Sequence, residues 1–179
     1  MAYYVDRIAR YDAGGLNAVM ELNAQAAADA VALDAERATA GPRGPLHGIP
    51  VLIKDNIAVA GGLHTTAGAF ALRQWQPQRD AFLIARLREA GAIILGKTNL
   101  SEWANYTDPC LPNGFSAVGG QTHSPYGPFN PSGSSTGSAV AVAANLAPLS
   151  VGSETQGSII GPARTLSLIH ISEPTRRTP

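Results

Sequence analysis

The chain has 179 residues, with 13 Lys+Arg against 13 Asp+Glu, and this neutrality argues against a protein that binds nucleic acid by neutralising phosphates. Its single cysteine, Cys110, excludes an internal disulfide framework and a cysteine-rich zinc module, which makes a reducing, cytoplasmic setting the default. No apolar run approaches the roughly 20 residues that span a bilayer and residues 1–7 lack the order of a secretory signal, so no membrane association is expected.

Residues 22–40 are rich in alanine and predict a helix, with Asn23 as its cap and Gly41-Pro42 as its stop. The turn-rich residues 44–50 feed Val51-Leu52-Ile53, a short buried strand that ends in Lys54-Asp55-Asn56. Residues 80–90 place Leu83, Leu87 and Ala90 on one helical face before Gly91, and residues 92–97 read as a second buried strand. Strand, helix and strand in that order predict an α/β fold with parallel strands. Residues 110–135 are polar and rich in Gly, Pro, Asn and Ser. An apolar helix over 138–146 and a strand over 148–152 follow. The excess of glycine and proline, 19 and 13 residues, suits a site built from loops. Asn105-Tyr106-Thr107 fits a glycosylation acceptor, a triplet that is common by chance.

Three positions could carry chemistry: Lys54 at a strand end, Ser134 in Ser132-Gly133-Ser134-Ser135-Thr136-Gly137-Ser138, and Ser158 in Gly157-Ser158-Ile159. Each alone has an ordinary reading. Lys54 could be a lysine reaching solvent, and the Ser/Gly cluster a loop or a helix N-terminus. The cluster lacks the Gly-Lys-Ser/Thr ending of a phosphate-binding loop, and no Gly-x-Gly-x-x-Gly occurs. A nucleophilic serine needs a base. The four histidines show neither metal-ligand spacing nor a recognised pairing with a serine, whereas a buried lysine with a lowered pKa can accept a proton near neutral pH.

Taken together, these segments resemble the amidase signature family. Gly48-Ile49-Pro50-Val51-Leu52-Ile53-Lys54-Asp55-Asn56 is similar to the family's catalytic-lysine strand, and Gly96-Lys97-Thr98-Asn99-Leu100-Ser101-Glu102-Trp103-Ala104 to its next marker. Residues 133–144 are similar to its Gly/Ser-rich segment and residues 152–163 to its nucleophile segment. Ser134 and Ser158 stand 24 residues apart, the family's own separation. The resemblance implies a mixed sheet covered by helices and hydrolysis of a linear C–N bond without metal or organic cofactor. Ser158 would be the nucleophile, Ser134, after a cis peptide bond, the bridge, and Lys54 the base. The backbone N–H groups of Thr155, Gln156, Gly157 and Ser158 would form the oxyanion hole.

The nucleophile segment departs from the family's common Gly-Thr-Asp-x-Gly-Gly-Ser-Ile-Arg at Ser153, Glu154, Gln156 and Ile160. Absence of the arginine disfavours the glutaminase component of a tRNA-dependent amidotransferase. Residues 101–105 and Gly119-Gly120-Gln121-Thr122 instead resemble the peptide-amidase branch, whose substrates are C-terminal peptide amides. The rivals are that amidotransferase component, a non-catalytic scaffold and a truncated product without activity. A small-molecule or peptide amide is the expected partner, with oligomeric state open.

Leu166 to Arg176 matches the frame translation of a widely used transposase sequencing adapter. Residues 1–165 are therefore expected to be part of an amidase domain, incomplete at the C-terminus, with 166–179 a non-native tail. The helix over 138–146 and the strand over 148–152 are expected to lack the sheet neighbours that a complete fold supplies, which leaves the chain poorly folded. Met1 falls within what resembles the family's N-terminal helical region, which leaves the natural start, any signal peptide and the compartment open.

Overall fold

The computed structural model describes residues 1–108 and 110–169. Its centre is a four-stranded mixed sheet. The strands β2 (Pro50–Lys54) and β3 (Ile93–Thr98) run parallel, β6 (Leu149–Val151) adds in parallel to the other side of β2, and β1 (Val19–Leu22) closes the edge antiparallel to β3. The order across the sheet is β1–β3–β2–β6. A short hairpin of β4 (Phe115–Ser116) and β5 (Gly120–Gln121) stands apart from it.

Both faces of the sheet are covered, which explains why β2 and β3 read as continuous apolar runs. Side chains alternate between faces along a strand, except where the β2–β3 register shifts between Val51 and Leu52, so that Leu95 is an extra residue and Gly96, Lys97 and Thr98 lie opposite Leu52, Ile53 and Lys54. Leu52, Ile93 and Leu95 pack beneath α1 (Ala2–Tyr11), α2 (Ala26–Ala40) and α4 (Thr136–Ala143), where they meet Ile8, Leu33, Val140 and Leu146. Val51, Ile53 and Ile94 face the other way, onto Val59, Leu63 and Ile84 of α3 (Phe82–Glu89).

The helix predicted over 22–40 starts at Ala26. Residues 19–22 are taken by β1, and Asn23 turns the chain between the two elements: its N–H and side-chain amide donate to Leu95 and Ile94 carbonyls, while its Oδ1 accepts from Gln25. The predicted face of α3 is rotated. Leu83 is exposed and Ile84 is buried, because Ala81, Ile84 and Leu87 form the stripe that meets the sheet. The helix predicted over 138–146 begins two residues earlier. It is buried against the sheet, contrary to the expectation that it would lack cover. β6 pairs on one side only among the described residues, and Leu149 is exposed.

Residues 152–163 run into α5 (Ile160–Thr165). Leu166, the next residue, is buried against the same core as Val140, an apolar side chain finding the nearest apolar surface. The expected tail from residue 170 onward lies outside the described residues.

Gly137 fixes how closely α4 approaches the sheet. A Cβ there would lie 2.5 Å from the carbonyl oxygens of both Ala18 and Asn99, and the Gly137 N–H donates to the latter at 2.9 Å. Backbone cannot rotate away, so the cost of overpacking, about 1–3 kcal/mol, should exceed alanine's helix-propensity gain of about 1 kcal/mol. Gly137→Ala is expected to lower the midpoint of urea denaturation without changing its slope.

Candidate active site

Lys54, the last residue of β2, is fully buried. Its Nζ donates to Ser134 Oγ at 2.8 Å and to the Ser153 carbonyl at 3.1 Å. Ser134 Oγ in turn donates to Ser158 Oγ at 3.0 Å. Three side chains separated by 80 and 24 residues in sequence thus form one hydrogen-bonded line. Ser134 follows a cis peptide bond from Gly133 and is buried, while Ser158 is half-buried at the other end.

The line is fixed from several sides. The Ser134 carbonyl accepts from Ser101 N–H, and the Ser158 carbonyl from Ser135 N–H. Ser135 Oγ also donates to the Ser153 carbonyl, which ties the Gly/Ser-rich loop to the residues after β6. Ser138 Oγ bonds Thr98 Oγ1 at 2.7 Å and the Val151 carbonyl at 3.0 Å, joining α4 to two strands.

Burial pushes the Lys54 ammonium down to about 7, with the Glu154 carboxylate partly opposing that fall. A second buried lysine, Lys97, is brought down to about 8 by burial, against the charge of Asp55, 3.7 Å away. Lys97 Nζ donates to the Ile57 carbonyl and to Thr65 Oγ1. Burial raises the Asp55 carboxyl, and hydrogen bonds from Thr66 and Gly68 work in the other direction. These groups pin residues 55–68 beneath the end of β2.

The four amides expected to form an oxyanion hole are not equivalent. Gly157 has φ +77°, with nothing within 4 Å of a Cβ placed there, so its conformation and not its lack of bulk is what the turn requires. Its N–H donates to Glu154 Oε1 at 2.5 Å. The hydrogen bonds of the loop leave Thr155, Gln156 and Ser158 N–H uncommitted among the described residues. Ser134, Ser158 and Gln156 line a cavity of about 500 Å³, with Asn105, Asn113 and Asn130 on its walls. A more apolar recess of about 410 Å³, walled by Leu72, Trp75, Leu100 and Trp103, adjoins it and shares Ala104.

Sequence reasoning assigned no role to Asp55, Lys97, Asn99 or Glu154. Asn99 is fully buried, and its side chain ties Gly120, Thr122, Ser116 and Leu100 together. A run of polar residues at the end of an apolar strand was the available signal. Among the described residues, no group of His, Cys, Asp or Glu side chains could hold a metal ion, and no helix is long and apolar enough to cross a membrane.

A mixed sheet with helices on both faces and a buried lysine joined to two serines defines a class of protein. The sequence profile of the amidase family matches residues 1–170, and the chain belongs to that family. A probable amidase of Arabidopsis thaliana is 49% identical over 161 residues, 87% of this chain and 31% of that protein. The peptide amidase of Stenotrophomonas maltophilia is 54% identical with a TM-score of 0.87, over 90% of this chain and 34% of that one. A component of the glutamyl-tRNA(Gln) amidotransferase of Salinispora arenicola is 40% identical over 170 residues, 94% of this chain and 33% of that protein. The chain thus spans about a third of the length of the relatives it matches.

The lysine also sets a stability profile. Lys54 holds its proton only below about 7 in the folded state and to about 10.4 in the unfolded chain. Between these values the unfolded state binds more protons, so unfolding free energy rises with pH across that window and the gain is lost as pH falls through 7. Denaturant titrations at pH 7 and pH 9 should show this rise, and Lys54→Met should shrink it, leaving the smaller share that Lys97 contributes above about 8.

Proposed function

We propose that this chain is the serine- and lysine-bearing part of a hydrolase of linear amides, and that the residues doing the chemistry are Lys54, Ser134 and Ser158. The observation that carries the reading is the continuous Lys54–Ser134–Ser158 line, with one end buried and the other in a cavity. With Lys54 neutral, the two hydroxyl hydrogens rotate: Ser158 donates to Ser134 and Ser134 donates to the Nζ lone pair. Ser158 Oγ then attacks the substrate carbonyl as its proton passes to Ser134 and the Ser134 proton passes to Lys54. The N–H groups of Ser158, Gln156 and Thr155 receive the developing oxyanion. The amine leaves with the proton returned from Lys54 through Ser134, and water repeats the sequence on the acyl-enzyme. The side chains supply every proton transfer, so the scheme calls for no metal or organic cofactor.

For the substrate we propose a C-terminal peptide amide. Three asparagines and Gln156 on the cavity wall can each donate and accept a hydrogen bond, which suits the backbone of a peptide, and the similarity to a peptide amidase agrees. The similarity to glutamyl-tRNA(Gln) amidotransferase components supports glutamine as a second substrate reading. We propose further that residues 1–165 are part of an enzyme of the relatives' length, with residues 166–179 foreign to it, and that the enzyme works in the cytoplasm, where an exposed thiol at Cys110 stays reduced.

In enzyme made from the complete reading frame, Ser158→Ala is expected to abolish hydrolysis of a peptide amide, and Ser134→Ala and Lys54→Ala each to cost orders of magnitude in acylation, since members of one catalytic unit fail together. A Lys54→Ala enzyme with near wild-type turnover overturns the scheme. The acylation rate should rise with pH through a midpoint near 7 and stay high in mildly alkaline buffer.

Sequencing the source locus past Thr165 is expected to return codons for an apolar continuation in place of Leu-Ser-Leu-Ile-His. A genomic read that confirms residues 166–179 followed by a stop overturns the proposed length.

A further inference from the structure

We propose that Glu154 is the positioning residue of the nucleophile loop: its carboxylate gathers the amides of Gly157, Ile159 and Ile160 and thereby sets where Ser158 and the neighbouring amides stand. The inference rests on the reading of Ser158 as nucleophile for its kinetic consequences, but not for its structural ones.

Glu154 Oε1 accepts from Gly157 N–H at 2.5 Å, and Oε2 accepts from Ile159 and Ile160 N–H at 2.7 and 2.9 Å. These bonds bracket Ser158 on both sides. Residues 154–157 are exposed, and the neighbouring anchors are the Ser153 and Ser158 backbones on Ser135. Between those anchors the carboxylate holds the loop together with the Gly157 carbonyl, which accepts from Gly161 N–H, and bonds from N–H groups to a carboxylate are about twice as strong as neutral ones. Satisfying Gly157 through Glu154 also turns that amide from the cavity, whose lining includes Gln156 and Ser158 but not Gly157.

The sequence departures fit together on this view. Where the resemblance has aspartate this chain has Glu154, longer by one methylene, about 1.5 Å, and its two carboxylate oxygens together meet amides from residue 157 to residue 160. Where the family commonly has arginine, Ile160 contributes its backbone N–H to the carboxylate.

Glu154 acts on Lys54 as well. Among the described residues, the charged groups on the elements packed around the lysine are Glu154, on the loop after β6; Asp55, just past the end of β2 and hydrogen-bonded to Thr66 and Gly68; and Lys97, on β3 against Asp55. The segment at the start of α4 brings only the hydroxyls of Ser134, Ser135 and Thr136, and Arg164 on α5 is exposed. Glu154 is thus the acid whose charge favours the Lys54 ammonium.

The test compares wild type, Glu154→Gln, Glu154→Asp and a Ser158→Ala control in enzyme from the complete reading frame, with a short peptide amide as substrate. Glu154→Gln is expected to lower kcat about tenfold to a hundredfold, the penalty of a misplaced reacting group, with KM nearly unchanged. It should also move the acid-limb midpoint of kcat/KM to lower pH, because the charge that favours protonated Lys54 is gone. Glu154→Asp keeps the charge and should keep the midpoint while losing kcat. Hydrogen exchange at Gly157, Ile159 and Ile160 should speed up in both variants. A Glu154→Gln enzyme with wild-type kcat, midpoint and exchange overturns the proposal. If Glu154→Gln fails to fold, Glu154→Asp decides: a lower kcat at an unmoved midpoint supports it, and wild-type kcat and exchange overturn it. An active Ser158→Ala control would sink the proposed reaction instead, and the exchange rates would still decide the role of Glu154.

Discussion

A single desolvated ammonium organises this end of the molecule. Moving an ion of that size out of water costs several kcal/mol even after relaxation, and Lys54 meets that cost with two hydrogen bonds and a pKa brought down to about 7. The position is available because β2 is central: β3 flanks one side, β6 the other, and the loop into α4 closes over its end. A lysine on β1 or on a loop would reach water and keep its proton. The burial of the lysine thus depends on the whole sheet, although the chemistry uses only its last residue.

Register decides what each buried lysine faces. Lys54 pairs with Thr98 and Ile53 with Lys97 across the parallel ladder, so the two lysines point to opposite faces. Lys54 shares its face with Thr98, whose hydroxyl meets Ser138 of α4, and finds serines there. Lys97 shares its face with Ile53 and finds Thr65, the Ile57 carbonyl and Asp55. A shift of one residue in either strand would exchange these environments. One lysine has hydroxyls leading to a cavity and the other a carboxylate, which is why they suit different tasks.

Three strands of the sheet and the helices α2, α3 and α4 were legible in the sequence because β2, β3 and α2 carry strong local patterns, while α1 was not predicted. What escaped was set by tertiary contact. β1 is short and shows no alternation; it exists because Gly96 leaves room for the Glu21 carbonyl, where a Cβ would lie 2.2 Å away. α3 falls where its pattern predicts but is rotated, since Leu83 and Ile84 are equally apolar and only the sheet distinguishes them. At the site, Lys54, Ser134 and Ser158 carried signals only when read jointly, and the structure brings them together. Asp55 and Lys97 both stand within motif segments, but nothing in one dimension says that they meet. The commitment of Gly157 to Glu154 was invisible for the same reason: a loop's hydrogen bonds follow from its folded path.

The wall between the serine cavity and the apolar recess shows how local strain is used. Trp103, Ala104 and Asn105 all have positive φ, 47°, 58° and 62°, and each such residue without glycine's freedom costs of order 1 kcal/mol or more. The turn is held by Trp103 N–H on the Ala67 carbonyl, Ala104 N–H on the Ser101 carbonyl and the Asn105 side chain on the Leu111 carbonyl. Its effect is to part the side chains: Trp103 lines the recess with Trp75, Asn105 lines the cavity with Asn113 and Asn130, and Ala104 belongs to both. A right-handed turn would continue a helix and carry all three on a spiral, mixing apolar and polar walls. The left-handed run keeps a more apolar surface beside a hydrogen-bonding one. Its anchor at Ala67 lies in the segment whose path Asp55 fixes through Thr66 and Gly68, so the residue following Lys54 in sequence also shapes the wall of the cavity that Ser158 faces.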